Sequence, residues 1–284
     1  MDQIKGTLIP IGGNEDKGEN ENSGLDFIAE GILSHVVKES GGPDAKIIIV
    51  PTASSIPKKV GVNYITAFEK LGCTNLTVMN ITERGQCEEV ELLEDFSSAN
   101  CVMFSGGNQS RITEIIGETK LHDLICKKFR NDDFVVAGTS AGAMAMANEM
   151  IAGGSSTEAL QKGAVILRSG LSLIPELIID THFIKRGRFG RLAEAVAVFP
   201  DLVGIGLAED TGLIIKNCNE FRVIGSGMVI VMDASSLTHN AHDQLEEGTP
   251  MSLSNLTTHI LANGDQFTFN NRNISILPIH EEFV

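Results

Sequence analysis

The sequence lacks several features that would each point to a particular class of protein. Its five cysteines are scattered and form no C-x-x-C pair, so neither a disulfide framework nor a structural zinc site is expected. No apolar run reaches the roughly 18 residues of a membrane span. The first 20 residues hold no long apolar segment typical of a secretion signal. We therefore expect a cytoplasmic protein with free thiols and no membrane association.

Positive charge is also scarce, since 22 lysines and arginines stand against 37 acidic residues, for a net charge of −15. A nucleic-acid backbone would be repelled by this average charge, so we expect no nucleic-acid partner. The acidity serves either solubility or the attraction of a cationic substrate. With 284 residues, 42% of them hydrophobic, the chain is long enough for a large core.

Short apolar runs alternate with helix-like segments through the first half of the chain. Strands are predicted in 7–13, 45–54, 75–81, 100–107 and 133–138, and helices over 24–39, 61–72, 108–117 and from Ser140 onward. After residue 200 the pattern changes to consecutive strands. The sequence predicts a three-layer α/β fold, a mostly parallel sheet with helices on both faces. We expect one domain over residues 1–284, with a β-rich C-terminal part over about 203–284.

The segment "VVAGTSAGAMAM" places Ser140 in a Gly-x-Ser-x-Gly pattern between a predicted strand and a predicted helix. That pattern is typical of a nucleophile elbow, in which glycines permit a sharp turn that exposes the serine hydroxyl. The helix N-terminus then offers free N–H groups to an anion. Tight packing of a β-to-α turn would select the same small residues, so the pattern alone leaves both interpretations open.

A nucleophilic serine needs a base and a group that orients it. Of the seven histidines, His182 stands out because it follows a strand-like run and precedes an unusually basic segment, "IKRGRFGRL". The turn in "GIGLAEDTGLII" offers Glu209 and Asp210 as orienting acids. Gly106 and Gly107, at another strand end, are suited to present a backbone N–H to an oxyanion. Each of these residues also has an ordinary structural interpretation.

Four separated motifs, "SGGNQSRI", "GTSAGAMAM", "DTHFIKRGRFGRL" and "GIGLAEDTGLII", together resemble the cyanophycinase family. The opening "LIPIGGNEDK" fits as well, and the resemblance covers about residues 6–235. It implies the class I glutamine amidotransferase-like fold of peptidase E-like serine peptidases. The implied roles are Ser140 as nucleophile, His182 as general base, Glu209 as the acid that orients it, and an oxyanion hole of the Gly107 and Ala141 N–H groups.

The resemblance also implies a substrate, cyanophycin, a poly-aspartate whose side chains carry amide-linked arginine. The family releases β-aspartyl-arginine dipeptides by acyl-serine chemistry, with no cofactor and no metal. The residues expected on the substrate side are Gln109, Asp180, Thr181, Arg186, Arg188 and Arg191. Thr181 departs from the family motif, where glutamine is common, and this puts the substrate rather than the chemistry in question.

Two alternatives stay open at this point. A related serine dipeptidase on short aspartyl or isoaspartyl peptides would use the same three residues. A non-catalytic amidotransferase-like binding protein would share only the fold, although such relatives carry cysteine where this chain has Ser140. The substrate guanidinium could meet Glu158 or Asp180. The fold resemblance further suggests a homodimer.

Overall fold

The computed structural model describes residues 4–19, 25–154, 160–270 and 273–277. Its α-helices are α1 (Ile32–Glu39), α2 (Pro57–Lys70), α3 (Val90–Ser97), α4 (Gln109–Ile116), α5 (Lys120–Asn131), α6 (Ala141–Met144) and α7 (Phe189–Val198). Its strands are β1 (Thr7–Ile11), β2 (Ile47–Val50), β3 (Leu76–Val78), β4 (Cys101–Phe104), β5 (Val135–Thr139), β6 (Glu149–Gly154), β7 (Val165–Ser169), β8 (Leu177–Asp180), β9 (Val203–Leu207), β10 (Thr211–Lys216), β11 (Glu220–Gly225), β12 (Met228–Asp233), β13 (His239–Asn240), β14 (Leu253–Ser254), β15 (Thr257–Ala262), β16 (Gln266–Asn270) and β17 (Asn273–Leu277).

A nine-stranded sheet forms the centre of the molecule, in the order β17-β16-β11-β10-β1-β5-β4-β2-β3. Five neighbouring strands, β1, β5, β4, β2 and β3, run parallel to one another. On the other side of β1, strands β10, β11, β16 and β17 extend the sheet through antiparallel pairs. A second sheet has the order β15-β12-β9-β8. The predicted mostly parallel core is therefore confirmed, and the C-terminal strands both extend the main sheet and form most of the second sheet.

Successive side chains on the central strands pack alternately into two separate hydrophobic clusters. In β2, Ile47 and Ile49 join a cluster with residues of α1 and α2, while Ile48 and Val50 join the cluster with residues of α3, α4 and α5. Side chains alternate between the two faces of a strand, so both faces of the parallel sheet are covered. This confirms the predicted three-layer arrangement.

The prediction of a helix over 24–39 is wrong for its first half, which is not helical in the structure. The helix begins only at Ile32, because Gly31 is extended with φ = −63° and ψ = 148°. Before it, the Asp26 carboxylate accepts hydrogen bonds from the Ile28 and Ala29 N–H groups at 2.9 and 2.8 Å. An aspartate side chain that caps nearby N–H groups competes with helix formation, and here it holds a turn.

The helix after Ser140 is also much shorter than the sequence predicts. It ends at Met144, and the next carbonyls bind another segment instead of continuing the helix. The Ala145 carbonyl accepts from the Leu171 N–H at 2.7 Å, and the Met146 carbonyl accepts from the Leu173 N–H at 2.9 Å. This tertiary pairing replaces the helical hydrogen bonds that the small apolar residues would otherwise favour.

Candidate active site

The C-terminal end of β1 joins three segments that are distant in sequence. The Ile11 carbonyl accepts from the Ser140 N–H and the Gly12 carbonyl accepts from the His182 N–H, both at 2.8 Å. The Gly13 carbonyl accepts from the Asp210 N–H at 2.9 Å. Three consecutive carbonyls, of the last residue of β1 and the two glycines after it, thus hold the backbones of the serine turn, the histidine turn and the acidic turn together.

Ser140 occupies the turn that the Gly-x-Ser-x-Gly pattern predicts, between β5 and α6. Its backbone has φ = 50° and ψ = −108°, which a residue other than glycine rarely adopts. Such a conformation persists only where the surroundings hold it, and it is concentrated at functional sites. Here the Ser140 N–H is bound by β1, and its carbonyl accepts from the Met144 N–H at 3.0 Å. The side chain is therefore presented at the end of the strand.

The structure brings Ser140, His182 and Glu209 into one continuous chain of hydrogen bonds. Ser140 Oγ lies 3.0 Å from His182 Nε2, and His182 Nδ1 lies 2.7 Å from Glu209 Oε1. A carboxylate only accepts hydrogen bonds, so Nδ1 is assigned the proton and Nε2 is left to accept from the serine hydroxyl. This is the arrangement in which an imidazole can remove a proton from serine.

The environment of His182 favours its neutral form. Burial lowers the pKa of His182 below its ordinary value, the nearby positive charge of Arg186 acts in the same direction, and the hydrogen bond to Glu209 opposes both. Burial acts to raise the pKa of Glu209, but hydrogen bonds from His182 and Lys185 outweigh it and lower the pKa. The pair is therefore a neutral base beside an ionised acid, as proton abstraction requires.

Asp210, the other acid that the sequence offered, faces away from the histidine. Its Oδ2 accepts from the Ser226 hydroxyl at 2.6 Å, and its Oδ1 accepts from the Asp16 N–H at 3.1 Å. Its backbone φ is 47°. Asp210 thus fixes the turn that carries Glu209, and Glu209 alone of the two contacts His182.

The expected oxyanion donors lie on both sides of Ser140. An ideal Cβ placed on Gly106 would lie 3.4 Å from Ser140 Cβ, which brings the Gly106–Gly107 turn against Ser140. Gly107 needs its φ of 145° and approaches the Ala53 carbonyl too closely for any side chain. Within the described part of the chain, the N–H groups of Gly107 and Ala141 donate to no other group. Both are therefore available as donors.

The predicted substrate contacts of Asp180 and Arg191 need correction, because both side chains are buried in an ion cluster. Asp180 is fully buried and accepts from Arg191 Nε at 2.8 Å and, over a very short contact, from Arg191 Nη2. Arg188 Nη1 donates to the same carboxylate at 3.1 Å and to the Thr181 carbonyl. Burial lowers the pKa of Arg188 to about 10. Through the Thr181 carbonyl, the ion cluster supports the backbone next to His182. Because both Asp180 oxygens are already bound by arginines, Asp180 cannot also receive a substrate guanidinium.

Thr181 is likewise buried, with its hydroxyl 3.3 Å from the Met144 sulfur, so the departure from the family motif lies inside the protein. Gln109 spans to β6, where its amide donates to the Ile151 carbonyl at 2.7 Å. Arg186 is exposed and lines the same cavity of about 400 Å³ as Ser140. Among the three arginines, Arg186 is thus the one presented to a ligand. Glu158 lies outside the described residues.

Two side chains that the sequence did not single out complete the surroundings of Glu209. Its Oε2 accepts from Lys185 Nζ at 3.0 Å and from the Asn14 amide at 3.5 Å. Lys185 lies in the basic segment after His182, and Asn14 lies in the "IGGNEDK" segment after β1. The polar composition of those two segments indicates that they contribute to the site. It does not show that Lys185 and Asn14 are the residues that bind Glu209.

In the part of the chain that the structure describes, no helix is both long enough and apolar enough to cross a membrane. Among the same residues, no cluster of three or more histidine, cysteine or acidic side chains is arranged to hold a metal ion.

The fold and the site define an α/β protein with the Ser–His–acid arrangement of serine hydrolases. The model of peptidase family S51 matches residues 19–223. The chain is 36% identical to a cyanophycinase from Trichormus variabilis over 274 residues, 96% of this chain and 88% of that protein. It is 33% identical to a cyanophycinase from Geminocystis herdmanii, over 93% of this chain and 94% of that protein. The chain therefore belongs to peptidase family S51, among the cyanophycinases.

Solved structures agree on the fold. A peptidase from an acI-B1 Actinobacterium superposes with a TM-score of 0.67 at 18% identity, covering 95% of this chain and 99% of that one. A putative peptidase E protein from Listeria monocytogenes gives a TM-score of 0.52 at 15% identity, over 78% of this chain and 98% of that one. At these identities the likeness concerns the fold alone.

Proposed function

We propose that this protein degrades cyanophycin to β-aspartyl-arginine dipeptides with Ser140 as nucleophile, His182 as general acid–base and Glu209 as the orienting acid. The observation that carries the proposal is the continuous series of hydrogen bonds Ser140–His182–Glu209, with distances of 3.0 and 2.7 Å, in a protein that belongs to the cyanophycinases. Both relatives named above are cyanophycinases, and the chain covers most of their length.

In the proposed mechanism, Ser140 Oγ attacks a backbone aspartyl carbonyl while His182 Nε2 takes the hydroxyl proton. The developing oxyanion receives hydrogen bonds from the Gly107 and Ala141 N–H groups. His182 then gives its proton to the leaving amine, and an acyl-serine ester remains. Water, activated by the same imidazole, releases the acyl group and returns the proton to Ser140. Throughout, Glu209 stabilises the imidazolium that forms twice in the cycle.

The test is incubation of the purified protein with insoluble cyanophycin, with soluble products identified by mass spectrometry and the Ser140→Ala variant beside it. We expect β-aspartyl-arginine from the parent protein alone. Release by both proteins would remove Ser140 from the mechanism. No release from folded parent protein, together with cleavage of short isoaspartyl peptides, would favour the dipeptidase alternative. No turnover of either substrate class would favour a binding protein.

Three further features belong to the same proposal. A single domain over residues 1–284 is supported by a hydrophobic cluster that includes residues from Leu8 in β1 to Phe267 in β16. A cytoplasmic location is supported by the five cysteines, all of them free. A homodimer is proposed from the fold resemblance, and sedimentation of the purified protein would test it.

A further inference from the structure

A buried carboxylate, Glu15, lies beside the nucleophile turn and takes no part in the proposed mechanism. Only 4% of Glu15 is exposed. Its Oε2 accepts from the hydroxyl of Thr139, the residue before Ser140, at 2.6 Å. Its Oε1 accepts from the Tyr64 hydroxyl over a very short contact. Both carboxylate oxygens are thus held by groups of the surrounding elements β5 and α2, which fixes the side chain in one orientation.

The third partner of this carboxylate is Lys17, which faces the opposite way. Lys17 Nζ lies 2.9 Å from Glu15 Oε1 and 3.3 Å from the Glu15 carbonyl, and it sits 4.9 Å from the centre of the Tyr64 ring. In this ion pair the Glu15 side chain is 1% exposed and the Lys17 side chain is 26% exposed. The negative end therefore points into the protein, and the positive end points outward.

The outward end opens into the cavity that contains the nucleophile. Lys17, Ser140, His182 and Arg186 all line that cavity. An ammonium group has three N–H donors, and the contacts to Glu15 use two of them. Within the described residues, Lys17 Nζ has no third acceptor. Although the whole chain carries a net charge of −15, this cavity presents two cations and only one acid, which is buried and paired.

We infer that Lys17 binds a carboxylate of the substrate, and that Glu15 and Tyr64 position its ammonium group for this contact. The inference rests on the proposed function and specifies which chemical group of the substrate the cavity recognises. A lysine whose ammonium group is already held by Glu15 and the Tyr64 ring loses little side-chain entropy on binding, so its remaining donor is preorganised for an anion. A charge-assisted hydrogen bond of this kind is about twice as strong as a neutral one.

The chemistry of cyanophycin leaves one candidate carboxylate in each internal unit. The main-chain carboxyl of every aspartate is in a peptide bond, and its side-chain carboxyl is in an amide bond to arginine. The α-carboxylate of that arginine is the only one that remains free. The structure therefore assigns Lys17 to the arginine α-carboxylate of a unit next to the bond that is cleaved.

The experiment compares two soluble substrates, a short oligomer of β-aspartyl-arginine units and the same oligomer with every arginine ending in a carboxamide. kcat/KM is measured for both with the parent protein, Lys17→Met and Lys17→Arg. Lys127→Met is the matched control, because it removes an exposed lysine from α5, outside the cavity. Methionine keeps an unbranched apolar side chain at this position, so the main loss is the charge.

We expect the parent protein to prefer the carboxylate substrate by roughly tenfold to a hundredfold, the range of a hydrogen bond to a charged group. Lys17→Met should abolish most of that preference, mainly through KM, while Lys17→Arg should retain much of it and Lys127→Met all of it. A purely structural role of Lys17 would slow both substrates alike and leave their ratio unchanged. That result would overturn the inference but not the proposed function, whereas inactivity of the parent protein on both substrates would overturn both.

Discussion

Replacing Gly13 by alanine is expected to disable the active site while leaving the protein folded. Gly13 lies next to the His182 imidazole, and its backbone has φ = 102°. An ideal Cβ on Gly13 would lie 2.5 Å from His182 Nε2, whereas ordinary van der Waals contact begins at 3.4 Å. The ring must therefore retreat by about 1 Å, and a misplacement of that size can cost about a hundredfold in rate.

The same substitution carries a second cost that must be separated from the first. Alanine is strained at a positive φ, by about 1–3 kcal/mol, so the free energy of unfolding should fall as well. Gly41→Ala is the matched control, because Gly41 has the same φ of 102° and nothing within 4 Å of the added Cβ. It should show the strain without the displaced imidazole.

The assay pairs the initial rate of β-aspartyl-arginine release from cyanophycin with urea unfolding followed by circular dichroism. We expect both variants to lose stability, Gly13→Ala at least as much as Gly41→Ala, and only Gly13→Ala to lose about a hundredfold in kcat. Parent-level turnover by folded Gly13→Ala would show that packing on Gly13 does not fix the imidazole. An equal loss of kcat in Gly41→Ala would trace the effect to stability and refute the steric argument.

Three other substitutions or conditions give equally direct expectations. Glu209→Gln leaves one side-chain oxygen for the three donors His182, Lys185 and Asn14, so kcat should fall about 10²- to 10⁴-fold, and parent-level kcat would exclude Glu209 as the orienting acid. kcat/KM should rise with pH as His182 deprotonates, and because burial lowers the pKa of His182, the midpoint of the rise should lie below 6.5; a midpoint above that value would contradict this. Asp180→Asn should lower the free energy of unfolding by about 3–5 kcal/mol, because Arg191 keeps a buried charge without its counter-charge. In urea unfolding the exposed Asp243→Asn should cost nearly nothing, and an equally small effect of Asp180→Asn would contradict the buried-charge argument.

Local patterns in the sequence were sufficient to predict the fold class. Continuous apolar runs such as "KIIIV" and "FVVAG" predict buried parallel strands, and their polar or glycine-rich ends predict a common edge for the site. The structure brings Ser140, His182 and Glu209 together at that edge. The resemblance was needed to choose Glu209 over Asp210, because the sequence does not show which of two adjacent acids in one turn points toward the histidine.

The features that were missed depend on contacts between distant segments. Nothing near Asp180 in sequence shows that the residue is fully buried against Arg191, so an acid beside the histidine looked like a substrate contact. Glu15 and Tyr64 are 49 residues apart and meet only because α2 packs on the face of the sheet to which β1 contributes Ile9 and Ile11. The short helix after Ser140 has the same cause, since its continuation is replaced by hydrogen bonds to residues 171–173.

The end of β1 explains how the unusual backbone of this site is held. Ser140, His182 and Asp210 have φ values of 50°, 49° and 47°, each unfavourable for a residue with a side chain. Each of the three donates its own N–H to one of the successive carbonyls of Ile11, Gly12 and Gly13. These hydrogen bonds stabilise the positive-φ backbone of each turn, in which the side chains of the serine and histidine turns and Glu209 come together. Because β1 lies between β5 and β10 in the main sheet, the three turns share one rigid support. A change that frays this strand end should therefore impair all three turns together.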